Sequence, residues 1–250
     1  MDGSAGTPGE LEQFVEKTKA GRPGEGNYRA YVGPPGQYDF MGATQFRLAT
    51  TLGLREDHSY LDIGCGSLRA GKLVLQYLLP GRYFGIEPND WLIDEAVASE
   101  IGADLFRIKQ PRFSQSAEFE VASFGQKFDF IMAQSIFSHT GLEMFRDSIA
   151  KIPAVMHDQS QFLFTAVTEH DTGRMPRASG AEGWVYPGCV RFRVREVMRI
   201  CRESGLFAQA LPWFHPRQTW FRAVTKRRFR LSEEQLAQVS GTVMFDPRFK

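Results

Sequence analysis

Cysteine is scarce. The 250 residues contain three, Cys65, Cys189 and Cys201, and no two stand in C-x-x-C spacing. That spacing leaves no basis for a thiolate zinc site, so no metal is expected, and an odd, scattered set argues for reduced thiols rather than a disulfide framework. Long apolar runs are missing too: nothing approaches the roughly 18 residues that a membrane-spanning helix needs. The opening MDGSAGTPGE lacks a basic-then-apolar signal segment, so a cytoplasmic location away from membranes is the expectation. Charge of either sign is nearly cancelled, at a formal +1 from 30 basic and 29 acidic residues. No global field therefore favours nucleic acid or an anionic membrane. The one basic cluster, KRRFR at 226–230, reads as a solvated face.

What is present suffices for one sizeable core: 42% of the chain is hydrophobic, and the 21 phenylalanines outnumber seven tyrosines and four tryptophans. The expected organisation is a disordered stretch at 1–10, a helical lid or cap at 11–54, a core at 55–226 and a tail at 227–250. A helical pattern at 11–20 has Leu11, Phe14 and Val15 on one face. It is followed by a Gly/Pro-rich stretch carrying Tyr28, Tyr31, Tyr38 and Met41, either a lid over a site or a clasp packed on the core.

Residues 60–71, YLDIGCGSLRAG, carry the strongest signal. An apolar strand runs into Gly64 and Gly66, and a helix follows; a second strand, at 82–86, ends on Glu87. A glycine turn between strand and helix lets a ligand approach the backbone, and an acid about 20 residues further on suits a ribose diol. A dinucleotide site would require G-x-G-x-x-G, but Arg69 stands where the third glycine belongs. Asp62, just before the turn, is an awkward neighbour for a pyrophosphate and a suitable one for a cation.

LDIGCG followed by YFGIEP resembles the first two motifs of class I S-adenosylmethionine-dependent methyltransferases, over about residues 52–225. The resemblance implies S-adenosylmethionine as cofactor and S-adenosylhomocysteine as product. It puts Gly64 and Gly66 against the methionine part, Glu87 on the ribose hydroxyls and Asp62 on the amino group. Cys65, a filler of the turn, joins Arg69 and Pro88 in the cofactor set. Gln134 and Ser135, expected at the end of the fourth strand beside the methyl group, complete it.

The fold class expected is α/β: a doubly wound, mostly parallel seven-stranded sheet with a terminal antiparallel hairpin and helices on both faces. Strands are read at 59–63, 82–87, 104–108, 128–133, 161–167, 207–211 and 219–225. Helices are read at 39–54, 69–78, 90–100, 142–156 (bent near Pro153) and 194–204, with Asn89 as an N-cap. No element is read in 110–127, which leaves Phe113 and Ser114 as the candidates for adenine contacts. A long loop at 169–192 emerges beyond the strand ends and carries Trp184 and Tyr186 as substrate-binding candidates, with Tyr31, Tyr38 and Met41 from the N-terminal segment.

For catalysis, AQSIFSHTG at 133–141 offers His139, whose imidazole could take a proton or merely shape its loop; His215, in PWFHPRQ, is the rival. An Asn/Asp-Pro-Pro-aromatic segment, which nucleobase amino-methyltransferases of the resembled superfamily use after the fourth strand, is replaced by QSIF. A small-molecule acceptor follows, a hydroxyl ahead of an amine or carboxylate, on a monomer or homodimer. A binding domain that holds the cofactor without methylating is the alternative.

Overall fold

A computed structural model describes Arg22 and residues 24–171 and 175–241. The expected disorder at 1–10, the helix at 11–20 and the end of the tail lie outside them. In chain order the principal elements are α1 (Tyr28–Tyr31), α2 (Tyr38–Thr51), β1 (Tyr60–Ile63), α3 (Gly71–Tyr77), β2 (Tyr83–Ile86), α4 (Asp90–Ala96), α5 (Ala103–Lys109) and β3 (Arg112–Ser114). They continue with β4 (Phe128–Ala133), α6 (Leu142–Lys151), β5 (Met156–Ala166), α7 (Val194–Glu203), β6 (Phe207–Leu211), β7 (Thr219–Val224) and α8 (Glu233–Gly241).

The strands form one seven-stranded sheet in the order β3-β2-β1-β4-β5-β7-β6. All neighbours are parallel up to β5, and β7 is antiparallel to both β5 and β6. The pattern arises from strand residues that are apolar on both sides, so each face needs a helical cover. Ile131, Phe162 and Phe164 pack on one face with Phe145 of α6 and Val197 of α7. Met132, Leu163 and Trp220 pack on the other with Leu48 of α2, Val74 of α3 and Ile93 of α4. Val239 of α8 joins that second layer, so the start of the expected tail is a docked helix.

Four expectations need correction. The segment read as a strand at 104–108 is helix α5. Leu105, Phe106 and Ile108 fit either period, but Asp104 in the first turn, Arg107 and Lys109 in the last and a left-handed Gln110 cap favour the helix. The third strand is instead β3, three half-exposed residues at the sheet edge inside the segment where no element was read. The helix expected at 142–156 ends at Lys151, gives one 3-10 turn containing Pro153 and enters β5 five residues before the expected start at 161. Asn89 occupies the N-cap position of α4 but makes no side-chain cap; its amide donates to Glu87 at 2.8 Å.

α2 lies against the glycine turn so closely that a Cβ added at Gly42 would sit 2.3 Å from the carbonyl oxygen of Arg69. A four-membered ion network fixes the segment before it: Lys72 meets Asp39 at 2.5 Å and Glu100 at 2.8 Å, and Arg29 pairs with both acids. Gly42→Ala must push helix and turn apart. It should lower stability in urea unfolding by about 1–3 kcal/mol, whereas Gly36→Ala, with open space at its Cβ, should leave the midpoint unchanged.

Candidate functional site

The carboxyl ends of β1, β2 and β4 open into a cavity of about 340 Å³. β1 ends in a turn where Gly64 and Gly66 take φ values of +67° and +53°, a region that side chains rarely adopt. Space enforces the same choice, since a Cβ at Gly64 would meet Ile136 Cδ1 at 2.0 Å and one at Gly66 would meet Val32 Cγ1 at 2.6 Å. The turn is tied to β2 by the Ile86 carbonyl, which accepts from Gly64 N at 2.7 Å and Cys65 N at 3.1 Å.

Glu87 is buried in the cavity wall, only 6% exposed. It accepts N–H bonds from Gly66 and Asn89, each at 3.0 Å. Burial pushes its carboxyl up, and these hydrogen bonds oppose the shift. Asp62 is equally buried and accepts from the Tyr83 hydroxyl at 2.8 Å. Burial pushes its carboxyl up to about 7, against the pull of Tyr83 and the Arg69 charge. A cationic group beside Asp62 would therefore be strongly favoured.

Arg69 crosses the site from the end of the turn. One terminal nitrogen donates to the Val32 carbonyl at 2.8 Å, the other to the Gln134 amide oxygen, and Nε is buried without a partner. Gln134 is a junction, accepting also from Gln45 at 3.0 Å and donating to Ser135 Oγ at 2.5 Å. Ser135 has a φ of +59°, and its N–H donates to Thr165 Oγ1 at 2.8 Å. A non-glycine residue held in that region beside a cavity is a mark of a constrained site.

His139 lines the cavity. Its Nδ1 lies 2.6 Å from the Gly188 carbonyl, which can only accept, so Nδ1 carries the ring proton. Burial and the Arg217 charge lower its pKa. In the neutral ring the lone pair is on Nε2. The 169–192 loop reaches the same cavity: Tyr186 donates to the Tyr31 carbonyl, and its ring lies 4.9 Å from that of His139. Trp184 stacks on Phe119 at 5.3 Å and donates to the Ala117 carbonyl at 3.1 Å.

The cavity thus gathers Asp62, Gly64, Cys65, Gly66, Arg69, Glu87, Pro88, Gln134, Ser135, His139, Tyr31, Trp184 and Tyr186. Tyr38 and Met41 lie outside it. Tyr38 is buried under Arg29 and Lys72 with its hydroxyl donating to the Ser67 carbonyl at 2.7 Å, and Met41 is buried on the same helix. His215 sits behind Gln134, whose amide nitrogen is 2.9 Å from Nε2, while Nδ1 accepts from Arg217 N at 3.1 Å. Burial, with Arg69 and Arg217 nearby, pushes His215 down to about 3, so it is neutral. It holds the loop rather than facing the cavity. Phe113 is likewise outside, its ring stacked on Phe106 at 5.9 Å, and Ser114 does not reach the lining either. Arg217 and Gln218, which follow His215 in PWFHPRQ, do line the cavity; in the sequence only the histidine offers titrating chemistry there. Among the described residues no three His, Cys, Asp or Glu side chains are grouped to hold a metal. None of the described helices is long and apolar enough to cross a membrane.

No protein-family model matches the sequence, and no curated protein matches it either. Solved structures do resemble the fold. The magnesium protoporphyrin IX methyltransferase ChlM from Synechocystis, with bound SAH, is 13% identical over 88% of this chain and 95% of its own, at a TM-score of 0.56. The DhpI-SAM-HEP complex gives 0.57 at 12% identity, over 88% of this chain and 99% of its own. The glycopeptide N-methyltransferase MtfA with SAH gives 0.55 at 14%, over 74% and 90%. With its strand order, its closing antiparallel hairpin and a glycine turn beneath the cavity, the chain has the fold of the class I S-adenosylmethionine-dependent methyltransferases.

Proposed function

We propose that this protein is a methyltransferase that uses S-adenosylmethionine to methylate a small molecule, on a hydroxyl oxygen. The observation that carries the cofactor assignment is the pairing in one cavity wall of Asp62 and Glu87 with the turn at Gly64 and Gly66. The residues fit the group. Glu87 offers carboxylate lone pairs to the two ribose hydroxyls, Asp62 suits the amino group, and the turn leaves room where any Cβ would intrude. The cavity volume falls within the range of small-ligand sites. When bound, S-adenosylmethionine supplies an electrophilic methyl group whose carbon–sulfur bond breaks, with its electron pair going to sulfur, as the acceptor oxygen bonds to carbon.

The protein's own part is alignment and proton removal. Gln134 and Ser135, pinned by Arg69, Gln45 and Thr165, form a rigid floor, and rigidity there holds the acceptor in line. Trp184, Tyr186 and Tyr31 add aromatic surface to the cavity wall. His139, neutral and with Nε2 unprotonated, takes the acceptor's hydroxyl proton as the oxygen attacks. Amine methylation is the second reading, and the glycopeptide N-methyltransferase among the similar structures favours keeping it.

Isothermal titration with S-adenosylmethionine, against NADH, tests the cofactor first; binding of NADH alone would refute it. Glu87→Ala should then weaken S-adenosylmethionine by about 2 kcal/mol, roughly 30-fold in Kd, and Glu87→Gln by less; equal affinity in wild type and both variants removes the ribose assignment. His139→Ala should keep cofactor affinity and lower turnover about 100-fold, and near-wild-type turnover leaves it a loop-shaping residue. In NMR titrations between about pH 5 and 8, His139 should protonate below the ordinary histidine value while the His215 resonances stay still, since a pKa lowered by burial means the neutral form persists as pH falls.

A further inference from the structure

The cavity holds two guanidiniums, and only one of them is committed. Arg69 is engaged by the Val32 carbonyl and Gln134. The side chain of Arg217 makes no hydrogen bond or ion pair among the described residues, although it lines the same cavity. Its backbone is nonetheless fixed, because its N–H donates to the half-buried ring of His215 at 3.1 Å. The charge of Arg217 acts on Arg69, His139, His215 and Cys189. Beside it Gln218 is buried in the wall with its amide oxygen unpartnered.

The charges define what is missing. Burial raises both acids, Asp62 to about 7, so Asp62 and Glu87 do not fully offset Arg69 and Arg217. On the reading proposed above, S-adenosylmethionine adds a sulfonium and an ammonium against one carboxylate, a net single positive charge. Arg69 still has a buried Nε without a partner for its carboxylate, which leaves Arg217 open. Arg217 is exposed where it lines the cavity, so its guanidinium is open to an incoming ligand.

We propose that the acceptor is a small organic anion, a hydroxy compound bearing a carboxylate or other oxyanion, and that Arg217 holds that group while His139 faces the hydroxyl. This rests on the methyltransferase reading. The anionic group is a handle and is not consumed; the bonds made and broken are those already given, with the hydroxyl proton passing to His139. A guanidinium suits the role because its fork meets an oxyanion with two donors.

The test uses the full chain loaded with S-adenosylhomocysteine and calorimetric titration of matched pairs: 2-, 3- and 4-hydroxybenzoate, lactate and hydroxyphenylphosphonate, each against its neutral amide or ester. At least one acid should bind tenfold or more tightly than its neutral partner, and the better of the carboxylates and phosphonate names the oxyanion. Arg217→Gln should abolish that preference, Arg217→Lys should retain part of it, and both should bind S-adenosylhomocysteine as the wild type does. Neutral members binding as well as acids, no acid binding, or a preference that survives Arg217→Gln would overturn the proposal. Loss of S-adenosylhomocysteine affinity in Arg217→Gln would also overturn it, by assigning Arg217 to the cofactor. Failure of wild type to bind S-adenosylhomocysteine at all would instead remove the methyltransferase reading, which keeps the two failures apart.

Discussion

The carbonyl of Ile86 accepts two N–H donors, Gly64 at 2.7 Å and Cys65 at 3.1 Å, and the next residue, Glu87, takes a third from Gly66 at 3.0 Å. These bonds weld the end of β2 to the turn after β1, and the rest of the site depends on them. They hold both glycines in positive φ, so the turn stays low enough for Val32 and Ile136 to close over it. They also explain how a carboxylate persists in the wall, since two N–H donors and the Asn89 amide replace the water that Glu87 loses. Asn89 is thereby diverted from capping α4, which begins instead with Asp90 in its first turn. A local capping preference has yielded to the needs of the acid.

A second junction sits at the end of β4. Gln134 receives Gln45 from α2 and Arg69 from the turn, and it touches His215 from the loop between β6 and β7. Three segments that are distant in the chain are thus registered against one amide at the end of β4. The arginine that spoils the dinucleotide pattern is part of this device. A glycine at 69 would permit closer helix packing, but here α2 takes up that space, with Gly42 against the Arg69 carbonyl.

Legibility in the sequence followed the range of the interactions. Residues 60–66 and 83–87 were readable because strand, turn and acid are short-range features with fixed spacing. The closing hairpin was readable for the same reason. Leu105, Phe106 and Ile108 were not, because three apolar residues in four positions satisfy both helix and strand, and the decision fell to flanking charges and a cap at Gln110. β3 pairs only at the sheet edge and has no apolar run of its own, so nothing local announced it. Tyr38 was placed in the site because aromatic loops often cover cofactors. What buries it instead is the Arg29–Glu100–Lys72–Asp39 network, whose members lie up to 71 residues apart. The 213–218 segment shows the limit most clearly. The sequence points to its histidine, yet a neutral, half-buried ring serves the loop, and the residues after it reach the cavity.

The distribution of charge then orders the chemistry. Asp62 and Glu87 follow directly from the ends of two adjacent strands, whereas Arg217 arrives from the far loop and His139 from the turn after β4. Acids at the strand ends suit the amino group and ribose of a cationic donor. Cations and a neutral imidazole around the remaining space disfavour a second positive ligand and keep His139 unprotonated. On the proposed reading, an ammonium-bearing acceptor would meet repulsion from Arg217 as well as from the sulfonium, and a hydroxyl carried by an anion would meet neither. Burial and the same arginine lower the basicity of His139, so the imidazole and the guanidinium offer one neutral and one cationic contact to whatever ligand fills the remaining space.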